Sequence, residues 1–145
     1  MRRILLLAGG VLILAFIAIQ AVPVSRTNPP EPAPLAAPDE VEGLLDRACA
    51  DCHSHRTRWP WYSRIAPVSW LVAHDVEEAR EHLNFSTWGD LAPRRQDRLR
   101  EEMWEEVSEG EMPLAAYRLA HPEARLTEAD LARLNAWARG AGNRD

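Results

Sequence analysis

The chain has 145 residues, enough for one modest domain and an appendage, and a formal charge of −5 from 17 basic and 22 acidic side chains. From Asp39 onward the balance is 14 arginines against 21 acidic residues, a formal −7. That balance argues against nucleic acid as a partner and against docking on anionic lipid. Every basic residue is arginine, which reads as a coding bias rather than a mechanism.

The chain starts with the basic Met1-Arg2-Arg3, and Ile4 to Val22 is then apolar apart from Gln20 and two glycines. Nineteen residues of helix span about 28 Å, close to the roughly 30 Å hydrocarbon core of a bilayer. A cleaved signal peptide shares these features, but it expects a small-x-small cleavage site. Ala18-Ile19-Gln20-Ala21 is a poor one, and no cysteine lies nearby to take a lipid. Residues 1–22 therefore read as an uncleaved transmembrane anchor, with Arg2 and Arg3 held in the cytoplasm and the rest of the chain outside. Residues 23–38 contain six prolines among Ser, Thr, Asn and Ala. Such a segment is expected to be extended and to act as a tether, holding a domain over 39–145 up to ~40 Å from the membrane.

Asp39 after Pro38 suits a helix N-cap, and Val41, Leu44, Leu45 and Ala48 then repeat on one helical face. This helix runs into Cys49-Ala50-Asp51-Cys52-His53, a C-x-x-C-H stretch, which is the attachment signature of c-type haem. On one helical turn, residues i and i+3 share a face. Two thiols can therefore meet two vinyl groups of one porphyrin, and His53 follows under the iron. A zinc site expects a second ligand pair at short spacing, and His55, His74, His82 and His121 do not form one. A redox C-x-x-C expects flanking strands of a βαβ unit, and no strand pattern appears.

After His53, the stretch Trp59-Pro60-Trp61-Tyr62 reads as an irregular loop laid against a flat surface such as a porphyrin. Arg56, Arg58 and Arg64 are interleaved with it, as candidates for haem propionates or as solvated charges. Ser69 is placed to cap a helix running to about Leu83, with Val72, Val76, Ala79 and Leu83 as its buried stripe. His74 and His82 on that helix read as structural. A break over 84–92 leads to Pro93 as a first-turn residue and a helix to about Glu109, with Leu99, Met103 and Val107 inward. Gly110 ends it, and Glu111-Met112-Pro113-Leu114 follows as a loop. Thr127 to Asp130 resembles a capping box before a last helix to about Arg139, with Leu131, Leu134, Trp137 and Ala138 inward. The fold is expected to be all-α.

A helix, C-x-x-C-H, a helix-rich middle, Met-Pro in a loop and a final helix resemble the order of parts in class I cytochromes c. The stretches CADCHS, WPWYS, IAPVSWL, LNFSTW, GEMPL and HPEARL, in that order, resemble the haem-binding domain family of small bacterial proteins over nearly all of Asp39 to Arg139. That resemblance implies one covalent haem c on Cys49 and Cys52, iron ligation by His53, and an N-terminal anchor. Pro67, or else Pro60, is expected to offer the carbonyl that orients His53 through its second nitrogen.

For the sixth position Met112 is the leading candidate, because neither helix propensity nor core periodicity gives it a role. His121, before Pro122 in a loop, is its rival. Met103 is explained by packing, and His55 is too close to reach over the ring. The expected function is one-electron transfer by a membrane-tethered monohaem cytochrome in the periplasm, exchanging electrons with a partner protein and catalysing no reaction of its own. The alternative is a haem sensor or peroxide-reacting site, in which His74, His82 or His121 is distal or Met112 is displaced.

Overall fold

The structure, a computed structural model, describes residues 1–140 and is all-helical, without a strand among those residues. Helix α1 (Arg2–Ile19) is apolar after Arg2 and Arg3, buries none of its residues and is long and apolar enough to cross a membrane. The domain is built from α2 (Asp39–Ala48), the short α3 (Ala50–His53), α4 (Val68–His82), α5 (Pro93–Ser108), the short α6 (Ala115–Ala120) and α7 (Glu128–Ala138). Single 3₁₀ segments at Trp61–Arg64, Phe85–Asp90 and Pro122–Ala124 make the corners.

The core lies where α2, α5 and α7 meet. The stripe of α2 (Val41, Leu44, Leu45) packs with Met103 and Val107 of α5, Leu134 and Trp137 of α7, and Phe85 from the 3₁₀ corner. Burying one such side chain contributes roughly 1.5–3 kcal/mol, so these helices fix the scaffold on which the functional residues stand. Helix α7 begins with the capping box its sequence suggested. The Thr127 hydroxyl accepts from the Asp130 N–H at 3.2 Å, and the Asp130 carboxylate accepts from the Thr127 N–H at 2.9 Å. Arg47 of α2 adds an ion pair to the same carboxylate at 2.6 Å. Gly110 and Gly140 take positive φ (81° and 75°) just past the ends of α5 and α7, where a side chain would be strained.

Two expectations fail here. The start of α4 is not capped by Ser69: Pro67 holds the N-cap position without a side-chain bond, and Ser69 is buried. More consequentially, the proline-rich stretch is not a free tether, because its polar groups are bonded to the domain. Ala33 N–H donates to Ser86 O (3.2 Å), Leu35 N–H to Phe85 O (2.7 Å), and Gly89 N–H to Ala33 O (2.9 Å). Arg26 and Asn28 reach the carbonyls of Ser63 and Thr57, and Leu35 and Ala37 pack on the core. No helix or strand forms over 24–37, and composition could not reveal where the backbone N–H groups of such a segment find their partners.

Candidate haem site

Cys49 ends α2, and α3 restarts the helix one residue later. Cys52 N–H (3.2 Å) and His53 N–H (2.9 Å) both donate to the Cys49 carbonyl, so the three residues share one turn. Neither cysteine is in a disulfide. Burial, reinforced by the neighbouring thiol, pushes Cys49 up to about 12, and burial pushes Cys52 up to about 11. Both are therefore neutral thiols at pH 7.

His53 is fixed by the end of α4. Its Nδ1 lies 3.2 Å from the Ala79 carbonyl and 3.1 Å from the Leu83 carbonyl. An acceptor on that side requires the proton on Nδ1 and leaves the Nε2 lone pair free, the state in which an imidazole binds a metal. Burial lowers the pKa of His53, partly opposed by those two backbone bonds, so the ring is neutral. The orienting carbonyls therefore come from Ala79 and Leu83, and not from Pro67 or Pro60. The Ala79 carbonyl also accepts from the Leu83 N–H at 2.9 Å, so it is shared, whereas the Leu83 carbonyl lies past the last turn of α4, where helix carbonyls lack intrahelical partners.

These side chains line a cavity of about 600 Å³, within the range of small-molecule and cofactor sites. Cys49, Cys52 and His53 form one wall, Ala79 and Leu83 of α4 another, Leu99 and Met103 of α5 a third, and Met112 with Pro113 lines it from the loop after α5. The stripe assigned to the core of α4 is thus divided: Val76 is buried in protein, whereas Ala79 and Leu83 face the cavity. Apolar periodicity marks a dry face without saying whether protein or cofactor covers it. A neighbouring cavity of about 570 Å³ shares Met112 but contains neither cysteine nor histidine, so the ligating chemistry belongs to the first.

Both Met103 and Met112 line the cavity, Met103 as a buried member of the core and Met112 packed half-buried against it. Among the histidines, His82 lies at the rim with its Nδ1 2.9 Å from the Glu78 carbonyl. His121 is outside: its Nε2 is 2.8 Å from the Tyr62 hydroxyl, its Nδ1 3.2 Å from Glu123, and its ring stacks on Tyr117. His55 is tied to Pro30 and Asn84, and His74 is exposed beside Glu78.

The aromatic loop after His53 does not line the cavity, and neither do its arginines. Arg56 pairs with Glu31 and Asp46, and Arg58 with Asp46 and Asp51. The charged residues that do line the cavity, Asp75, Glu78, Glu102 and Glu106, are all acidic.

One residue that sequence reasoning missed is Asp51, between the two cysteines. Its buried carboxylate accepts from the Arg58 N–H and Nε–H (both 3.0 Å) and from the Tyr117 hydroxyl (2.8 Å). Tyr117 also lines the cavity, and burial together with the Asp51 bond raises its pKa well above that of a free phenol. Asp51 therefore clamps the C-x-x-C-H turn to α6, a helix the sequence did not reveal.

A helical domain with a C-x-x-C-H turn, a preoriented neutral imidazole and an apolar cavity defines a haem-binding protein, and the residues fit that group. The family model described as "Haem-binding domain" matches residues 14–140, and the chain belongs to that family. The match includes the proline-rich stretch, in keeping with its place in the fold. No curated protein and no solved structure matches the chain.

Proposed function

We propose that the protein is a membrane-anchored, monohaem c-type cytochrome that carries single electrons on the outer side of the cytoplasmic membrane. The observation that carries this reading is the placement of His53. Its Nδ1 is taken by two carbonyls, and both thiols and Met112 line the same cavity. When bound, haem supplies a ferric/ferrous couple.

The protein's residues bind and orient it. Cys49 and Cys52 would hold the haem covalently, each thiol supplying the sulfur and the hydrogen that add across one vinyl group, with no oxidant needed. His53 through Nε2 and Met112 through its sulfur would hold the iron, and such a His/Met pair would supply a raised potential with both ligand positions taken by protein. An electron carrier follows from that, rather than an enzyme. The apolar α1 supports the anchor, and Arg2 and Arg3 support its orientation.

Protein produced with a cytochrome c maturation system is expected to keep its haem through acid-acetone extraction and denaturing electrophoresis. The Cys49→Ala, Cys52→Ala double variant is expected to lose it. Haem retained by the double variant overturns the covalent assignment. Rapid binding of carbon monoxide to the ferrous wild-type protein would instead favour a sensor or peroxide-reacting site.

A further inference from the structure

We infer that the haem domain lies directly on the phospholipid headgroups, through the face formed by the 3₁₀ segment Trp61–Arg64 and the start of α4. This rests on the reading of α1 as a membrane anchor and goes beyond it, because an anchor alone would let the domain float. Gln20, just past the end of α1, makes a reciprocal pair with the Ala66 backbone: its Nε2 donates to the carbonyl (3.1 Å), and its Oε1 accepts from the N–H (2.9 Å).

A spanning α1 of 18 residues is about 27 Å long, so Gln20 sits where the hydrocarbon ends, and the headgroup layer adds only about 5–8 Å per side. Ala66 is therefore at the membrane surface, and its neighbours in sequence are apolar and exposed. Trp61 is 74% exposed, Leu71 60%, Val68 43% and Ile65 40%. Val68 and Leu71 share a face of α4 at i, i+3 spacing. Aromatic and apolar side chains at that depth are the composition of a membrane-interface belt.

Charge agrees locally although it disagrees over the whole domain. From Trp61 to His74 the chain has no acidic residue, and it carries Arg64. Exposed Arg26, bonded to the Ser63 carbonyl, adds a second cation to the same face. The stretch itself therefore presents no carboxylate to repel phosphate, and the next one along α4, Asp75, lines the cavity. The docked proline-rich segment has no slack to lift the domain away.

The test uses the full-length, haem-loaded protein in phosphatidylcholine vesicles, spin-labelled in turn at Leu71→Cys, Leu7→Cys and Glu101→Cys. All three sites are exposed, so the fold should be kept, and the haem spectrum checks it. Collisions with lipid-soluble oxygen and with a water-soluble nickel chelate report depth. The labels at 71 and 7 are expected to favour oxygen, and the label at 101 to favour nickel. If 7 favours oxygen while 71 matches 101, the anchor stands and the docking is overturned. If 7 also matches 101, the anchor reading and the docking both fall.

Discussion

A neutral imidazole has one N–H and one lone pair, and at His53 the end of α4 takes the first and frees the second. Asp51 plays the matching part for the thiols, holding their turn against Arg58 and Tyr117. Asp51→Ala leaves the Arg58 N–H and the Tyr117 hydroxyl without their partner. It is expected to lower unfolding stability by about 1–3 kcal/mol, and Tyr117→Phe by about 1 kcal/mol. Urea unfolding of the two variants measures this, and midpoints unchanged from wild type would show the clamp to be idle. That Cys49, Cys52 and His53 share one turn was legible because the C-x-x-C-H stretch is contiguous in sequence. Asp51 and Tyr117 were not, since 66 residues separate them and no periodicity links a carboxylate to a distant phenol. Ala79 and Leu83 were hidden differently: their backbone is the functional part, and residue identity says nothing about a carbonyl.

Among the elements, α2, α5 and α7 followed from their apolar stripes and end signals, and α7 from its capping box. Thr127→Ala removes that cap and is expected to cost about 1 kcal/mol. The same box holds Asp130 down at about 2, chiefly through the Thr127 N–H, with the Thr127 hydroxyl and Arg47 assisting. A carboxylate depressed in the folded state stabilises fully above its unfolded value near 4 and loses that contribution as pH falls toward 2. An Asp130→Asn variant is accordingly expected to be less stable than wild type at pH 6, with the gap narrowing as the pH is lowered from 4 to 2. A gap independent of pH would mean the carboxylate's charge contributes nothing. Helix α6 escaped notice because six residues between two prolines carry no full apolar period. The proline-rich segment was misjudged because its docking depends on a partner surface. Gly89 makes room there: a Cβ at that position would lie 3.1 Å from the Ala33 Cβ. Gly89→Val is expected to loosen residues 24–37, seen as faster amide exchange and new protease cuts. Exchange identical to wild type would show the segment to be held by other contacts.

For the whole molecule, an exposed apolar α1 bonded to Ala66 predicts an integral protein whose domain stays with its anchor. It should resist extraction from membranes by high salt and by alkaline carbonate, whereas release by either would mark α1 as peripheral or cleaved. The functional claim turns on how the iron is held, and two methionines, Met103 and Met112, line the cavity with Cys49, Cys52 and His53. Met103 is buried on α5 within the core, whereas Met112 lies in the loop after Gly110, half-buried against the edge of that core. The ferric absorption spectrum decides between them through the weak sulfur-to-iron charge-transfer band at its red end. The band should be present in wild type, absent in Met112→Ala with carbon monoxide now binding the ferrous form, and retained in Met103→Leu. A band that survives Met112→Ala and disappears in Met103→Leu would contradict the assignment of Met112 as the sixth ligand.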